Sequence, residues 1–287
     1  MTCYRGRFAP TPTGLLHFGS LFAAVVSYLD ARSVNGQWLV RIEDIDPPRE
    51  QPGAASAILK TLESHGLYWD EEVNYQSQNT ERYLENLAAL ASQDRLFWCH
   101  CSRKQLAGFS VYPGFCRQNK TPRHDSAARL RIITGSDSFV DKFQGLQTAN
   151  LSSQYGDVVL QRRDQLFSYQ LAVVSDDIAS NITNVVRGID LLGSTYWQRE
   201  LYRAFDTPYV NYGHFPVLHS NHADQKLSKQ NLAPAVDDTQ AIDNLKTVFT
   251  LLGLEIDTDR IDLMLSQAIQ LWQPDKLTGK DKILVDI

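Results

Sequence analysis

The residues of this chain that are able to do chemistry fall in four separated segments. Arg7-Phe8-Ala9-Pro10-Thr11-Pro12-Thr13-Gly14 ends a short apolar stretch in turn formers, and Leu15-Leu16-His17-Phe18-Gly19-Ser20 follows as the start of a helical pattern. Free backbone N–H groups and the positive end of the helix dipole at such a place suit a phosphate chain, and Gly19 puts no Cβ where a nucleotide approaches closely. Arg41-Ile42-Glu43-Asp44-Ile45-Asp46-Pro47-Pro48-Arg49-Glu50 is a cluster of alternating charge just after an apolar run, the end of a strand where open α/β sheets bind ligands. Lys226-Leu227-Ser228-Lys229-Gln230 sets two lysines three apart beside a serine, a loop suited to neutralising charge in a phosphoryl-type transition state. Taken singly, each has a plain structural reading: a histidine at a tight turn, a solvated ion-pair loop, ordinary surface.

The fourth segment is a cysteine cluster. Cys99, Cys101 and Cys116 lie within 18 residues of one another, and thiolates are soft donors suited to tetrahedral zinc. Spacing leaves the fourth position open among His100, His124 and Tyr112, and the competing reading is three reduced, buried cysteines. Cys3 stands apart as a free thiol.

These segments need a scaffold. Tyr4 to Ala9 reads as a strand, and Leu15 to Ser33 as a helix with Leu21, Phe22, Val25, Val26 and Leu29 at helical spacing and Asn35-Gly36 as its stop. Trp38 to Ile42 reads as a second strand, which completes the first unit of a parallel α/β sheet. Further helices are expected over Ala54 to His65, Thr80 to Gln93, Thr239 to Leu252 and Asp262 to Trp272. Val158 to Leu160 and Gln170 to Val174 resume the α/β pattern.

The composition bounds the rest. With 287 residues, 43% hydrophobic and 10% aromatic, the chain is a folded domain with room for a second, smaller one. Lys and Arg number 28 against 33 acids, a net of −5, which argues against a positive coat for gripping duplex DNA. The charge is uneven. Arg95 to Arg131 holds eight Lys or Arg against Asp125, or +7, so the remainder carries −12. This basic stretch, interleaved with Phe97, Trp98, Phe109, Tyr112 and Phe115, reads as an insert. Within it Arg103, Lys104, Arg117 and Lys120 are candidates to grip an RNA backbone. No apolar run approaches the 18 or more residues of a membrane span, and the N-terminal residues are too polar for a signal peptide, so the expected compartment is the cytosol.

In this order and at these distances the segments resemble the class I aminoacyl-tRNA synthetases of the glutamyl/glutaminyl branch. Pro10 to Ser20 is similar to the first signature of that class, and Lys226 to Gln230 to its lysine-bearing second signature. Arg41-Ile42-Glu43-Asp44 is similar to a segment particular to the glutamate branch, as are Tyr169-Gln170-Leu171-Ala172-Val173-Val174-Ser175-Asp176-Asp177 and Val186-Arg187-Gly188-Ile189-Asp190. Ser20 stands where the first signature ends in a second histidine, and Leu227 and Gln230 stand where the second has methionine and serine. Leucine for methionine is close to isosteric, and Ser20 still donates a hydrogen bond. Only residues 231–287 follow Gln230, too few for a large anticodon-binding portion. That brevity and the cysteine cluster are similar to the glutamyl-queuosine tRNA(Asp) synthetases.

The resemblance implies an α/β fold. A Rossmann-type parallel-sheet catalytic domain (residues 1–94 and 136–230) would carry a basic, zinc-binding, acceptor-like insert (95–135) and a short helical C-terminal annex (231–287), with no anticodon-binding domain. It implies ATP-dependent activation of L-glutamate without tRNA, then transfer to the queuosine base at the wobble position of tRNA(Asp). Glutamate would be contacted by Arg7, Phe8, Ala9, Pro10, Thr11, Glu43, Tyr169 and Arg187. ATP would meet His17, Gly19, Ser20, Lys226, Ser228 and Lys229, with His17 and Lys229 acting on the phosphates and Mg²⁺ accompanying the nucleotide. One structural zinc per chain would be held by Cys99, Cys101, Cys116 and Tyr112. The expected partners are ATP, glutamate and queuosine-containing tRNA(Asp), with no membrane and no DNA, and the expected state is a monomer. The rival expectations are a short glutamyl-tRNA synthetase charging the 3′ end of tRNA(Glu), and a non-catalytic RNA-binding relative.

Overall fold

The computed structural model describes residues 3–221 and 235–286. Along the chain run β1 (Arg5–Phe8), α1 (Phe18–Arg32), β2 (Gln37–Ile42), α2 (Ala54–Ser64), β3 (Asn74–Tyr75), α3 (Thr80–Ser92), β4 (Leu96–Cys99) and α4 (Arg103–Leu106). There follow β5 (Ala127–Leu130), β6 (Ser136–Asp141), β7 (Gly145–Asn150), α5 (Leu151–Gln154), β8 (Val158–Gln161), α6 (Tyr169–Ala179), β9 (Asn184–Gly188) and α7 (Leu192–Ala204). The chain closes with β10 (Asn211–Phe215), β11 (Val217–Ser220), α8 (Ala241–Leu251), α9 (Ile261–Leu271) and β12 (Lys282–Val285).

The main sheet is parallel. β1 pairs with β2, β2 with β3, and β9 with β10. β9 lies beside β1, where the Thr183 N–H donates to the Arg5 carbonyl at 2.9 Å and the Arg5 N–H to Thr183 Oγ1 at 2.8 Å. From β1 the chain winds outward through β2 and β3, whereas β9 and β10 extend the other way. The winding therefore reverses between β1 and β9, the switch point of a doubly wound sheet, at whose carboxyl end such sheets bind ligands.

Two-residue periodicity sorts the strands onto two faces. Phe8, Trp38, Val40, Ile42, Val186 and Phe215 enter one core with α1. The intervening positions Arg7, Arg41, Arg187 and His214 turn to the opposite face, against α6 and α7, and all are buried. Helix α1 is buried nearly all round because β1 and β9 cover one side and α8 and α9 the other. Asn35 ends it in the left-handed region at φ 53°, and a Cβ on Gly36 would lie 2.9 Å from the Ala31 carbonyl oxygen, so this stop requires that pair of residues.

Leu245, Val248, Phe249, Met264, Leu265 and Ala268, from α8 and α9, belong to the same apolar core as α1. The C-terminal part, expected to be helical, also contributes a strand: β12 pairs in parallel with β11 from Val217↔Lys282 to Ser220↔Val285. Four residues carry too little local pattern to be read as a strand, and a strand distant in the chain supplies their partner. The basic insert hangs from an antiparallel sheet in which β5 lies between β4 and β8, with Leu96 opposite Leu130 at its root. A hairpin of β6 and β7 sets its edge against β10, where the Lys142 N–H donates to the Tyr212 carbonyl at 2.9 Å.

Candidate active site

The first signature loop is held from both sides. The Glu43 N–H donates to the Pro10 carbonyl at 3.0 Å and the Gln51 N–H to that of Pro12 at 3.0 Å, so the turn is tied to the end of β2. Gly14 takes φ 140°, a conformation that L side chains rarely adopt. His17 then caps α1: its Nδ1 accepts the Ser20 N–H at 3.2 Å. With Nδ1 an acceptor, the proton sits on Nε2, which lies 2.8 Å from Ser20 Oγ. Ser20, in the place of the expected second histidine, thus orients the first. Gly19 lies in the opening turn of the same helix.

Lys226, Ser228 and Lys229 lie outside the described residues. The next described residues lie against the start of α1: Ala235 forms an isolated antiparallel bridge with His17, and the Val236 N–H donates to the Leu16 carbonyl at 2.8 Å.

On the α6 side of the sheet lies a buried charge cluster. Arg7 grips Asp177 with two nitrogens, Nε to Oδ1 at 3.1 Å and Nη2 to Oδ2 at 3.3 Å. Arg41 Nη1 reaches the same Asp177 Oδ1 at 2.5 Å, and its Nη2 reaches Glu43 Oε1 at 3.3 Å. Burial alone would raise the Asp177 carboxyl, but the two guanidiniums outweigh it and hold the group below the usual carboxylate range. Glu43 goes the other way: burial pushes it up, and Arg41 and Arg7 offset only part of that. Tyr169 opens α6 behind its cap Ser168, and burial raises its phenol within the fields of Arg187, Glu43, Arg7 and Arg41.

Arg187, on β9, is clamped at each nitrogen. Nη1 donates to Tyr169 Oη at 3.2 Å, Nη2 to Thr195 Oγ1 at 2.8 Å, and Nε to His214 Nε2 at 3.0 Å. Arg7, Glu43 and Arg187 all lie close enough to Tyr169 to act on its phenol, so the four gather on one face of the sheet. Phe8 is different: its ring is buried and stacks on Trp38, with centroids 6.2 Å apart, so only its backbone can face a ligand. Ala9, Pro10 and Thr11 are half-buried along the rim. The sequence alone gives Asp177 no task and does not single out Asp141, Thr195 or His214. The available signal is two consecutive acids inside the apolar run of α6.

The cysteine cluster forms as a unit. The Sγ atoms of Cys99, Cys101 and Cys116 all lie within 4.8 Å of one another, the last two 3.5 Å apart. Tyr112 Oη is 3.5 Å from Cys99 Sγ and 3.8 Å from Cys101 Sγ. These separations match the edges of a tetrahedron about zinc, about 3.8 Å for thiolates bound at roughly 2.3 Å, so the donor set fits a metal ion. His124 points away, 95% exposed and paired with Asp125. The Arg129 guanidinium lies 4.2 Å over the Tyr112 ring. Two candidates for an RNA grip are already engaged. Arg117 makes a bidentate pair with buried Asp157, both contacts at 2.6 Å, and Lys120 pairs with Asp94 at 3.0 Å; Arg103 and Lys104 are exposed. No described helix is long and apolar enough to cross a membrane.

The family model for tRNA synthetases class I (E and Q), catalytic domain, matches residues 4–111 and 115–254. The chain is 48% identical over 259 residues to the Glutamyl-Q tRNA(Asp) synthetase of Ectopseudomonas mendocina, covering 90% of this chain and 88% of that one. It is 47% identical to the protein of that name from Idiomarina loihiensis (94% and 96% covered) and 47% identical to that from Neisseria meningitidis (96% and 97%). In fold it is similar to a glutamate tRNA ligase from Elizabethkingia meningosepticum, with a TM-score of 0.82 at 20% identity over 98% of this chain and 67% of that one. A parallel sheet whose switch point gathers the glutamate-branch residues, a matching catalytic-domain pattern and near-full-length relatives place this chain in the E and Q branch of the class I tRNA synthetases, within the glutamyl-Q tRNA(Asp) synthetase family.

Proposed function

We propose that the protein activates L-glutamate with ATP in the absence of tRNA, forming glutamyl-adenylate, and then passes the glutamyl group to the queuosine base at the wobble position of tRNA(Asp). The observation that carries this reading is the gathering of two arginines, a carboxylate and a tyrosine at the carboxyl ends of β1, β2 and β9, in a chain whose relatives are named Glutamyl-Q tRNA(Asp) synthetase.

The pocket chemistry suits a dicarboxylic amino acid. Arg7 keeps its Nη1, and Arg187 one N–H of its own Nη1, without a partner among the described residues, and both face carboxylates best as donors of charge-assisted hydrogen bonds. Glu43 keeps its second oxygen for the substrate ammonium, and Tyr169 walls the pocket. With the substrate held, its α-carboxylate attacks the α-phosphorus of ATP and pyrophosphate leaves, a step that needs positioning and charge neutralisation and no protein nucleophile. His17, Gly19 and Ser20 at the start of α1 receive the phosphates, together with Lys226, Ser228 and Lys229 of the second signature. Mg²⁺ travels with the ATP and shields its charge.

In this reading residues 1–94 and 136–230 build the catalytic domain, 95–135 the insert and 231–287 the annex. One zinc per chain, on Cys99, Cys101, Cys116 and Tyr112, would pin an insert whose own apolar cluster is small. All the named side chains come from one chain, so a monomer suffices, and the cytosol is the compartment that supplies ATP, glutamate and tRNA together. The test is glutamate-dependent ATP–pyrophosphate exchange without tRNA, followed by transfer of labelled glutamate to tRNA(Asp) with and without queuosine, and to tRNA(Glu). Exchange without tRNA and labelling of queuosine-containing tRNA(Asp) alone are expected. No exchange, or charging of tRNA(Glu), would overturn the reading.

A further inference from the structure

Behind the glutamate pocket runs a buried relay that touches no substrate. Asp141, the last residue of β6, is 1% exposed, and its Oδ1 accepts the N–H groups of Phe143, Gln144 and His214, each at 3.0 Å. Its Oδ2 lies 2.6 Å from His214 Nδ1. His214, fully buried on β10, turns its other nitrogen to Arg187, whose Nε is 3.0 Å from Nε2. Thr195 Oγ1 sits 3.1 Å from the same Nε2 while accepting from Arg187 Nη2 at 2.8 Å.

The proton positions follow from chemistry. An arginine Nε–H can only donate, so His214 Nε2 must accept. The ring proton therefore sits on Nδ1 and is given to Asp141. Burial and the neighbouring guanidinium keep the ring neutral, consistent with its descent to about 4. Arg187 is thus turned by an acceptor that a β-hairpin outside the pocket holds in one tautomer.

We infer that Asp141 and His214 are positioning residues for glutamate: the carboxylate fixes the histidine tautomer, and the histidine fixes the orientation in which Arg187 meets the substrate carboxylate. This rests on the function proposed above and extends it to a pair that the pocket itself does not contain. Asp141→Asn is the discriminating substitution. The new side-chain oxygen must stay with the three backbone N–H groups, which leaves the amide nitrogen facing His214 Nδ1. The ring must then accept there and carry its proton on Nε2, directly against the Arg187 Nε–H.

Two measurements test the inference. Long-range proton–nitrogen correlation spectra of ¹⁵N-histidine-labelled protein should show His214 protonated on Nδ1 in the wild type and on Nε2 in D141N. In pyrophosphate exchange, D141N should raise KM for glutamate at least tenfold, the order expected when a buried charged donor loses its acceptor, with KM for ATP changed by less than about twofold. His214→Gln, whose side-chain oxygen can accept from Arg187, should recover much of the glutamate affinity that His214→Ala loses. An Nε2-protonated wild type, or D141N and H214A proteins that fold and keep the wild-type KM for glutamate, would overturn the inference. A wild type that exchanges nothing with glutamate would instead refute the functional reading, and the spectra would still decide the tautomer.

Discussion

Asp177, on α6, binds Arg7 from β1 through both carboxylate oxygens, at 3.1 and 3.3 Å, while sharing one of them with Arg41 from β2. A helix and two strands are thereby locked together by one buried anion between two cations.

Asp177→Asn should be costly for both folding and function. It leaves two guanidiniums, each 4% exposed, without their counter-charge. Breaking a buried pair in this way costs about 3–5 kcal/mol. Urea denaturation should record that loss, and glutamate-dependent exchange should fall even where the variant is still folded. A variant of unchanged midpoint would show that Glu43 alone balances the cluster.

The phosphate-binding assignments can be separated from the amino-acid pocket. His17→Ala and Lys229→Ala are each expected to lower the exchange rate by roughly 10²–10³-fold, the range for removal of one preorganised donor to a charged transition state. Glutamate protection against heat should persist in both. Exchange at the wild-type rate in K229A would remove that lysine from the mechanism.

The cysteine cluster predicts about one zinc per chain in purified protein, measurable by elemental analysis. Cys101→Ser should lose the metal, and Tyr112→Phe should bind it about 10- to 100-fold more weakly if the phenol is a ligand. Burial pushes the Cys101 thiol up to about 11, so the ligands must deprotonate on loading, and affinity should fall as pH falls. Tyr112→Phe with wild-type zinc affinity would return the fourth position to another donor.

Stability should depend on pH through His214. Burial, aided by Arg187, holds its imidazole down at about 4, below the value of an unfolded histidine. The unfolded chain then binds the proton more tightly, so this residue's contribution is complete above about pH 6.5 and is lost as pH falls through about 4. Between pH 7 and 5 the loss is roughly 2 kcal/mol. Comparing denaturation midpoints of wild type and H214Q across that range isolates the effect of this residue, since other groups titrate in both. Parallel curves would contradict it.

Much of the scaffold is legible along the chain. The expected helices over Ala54 to His65 and Thr80 to Gln93 are found as Ala54–Ser64 and Thr80–Ser92, because apolar positions at helical spacing declare themselves locally. The expected strand, turn and helix from Tyr4 onward are found as β1 and α1. The β6–β7 hairpin and β12 are not legible in this way, since short strands take their definition from partners elsewhere.

The sequence by itself determined which residue types reach the pocket. An arginine at position 7, a glutamate at 43 and an arginine at 187 each sit at or near the end of a strand pattern, and alternation sets each opposite the apolar face of its own strand. Tertiary structure decided what each one does there. Arg117, a candidate RNA contact, became half of a bidentate ion pair because Asp157, 40 residues on, folds beneath it. Arg7 became half of an ion pair because α6 brings Asp177 across a separation of 170 residues, and His214 became an acceptor because Asp141 lies 73 residues before it on a neighbouring strand. Periodicity is a property of neighbours in the chain, whereas charge state, tautomer and hydrogen-bond direction belong to groups that meet only once the sheet is assembled.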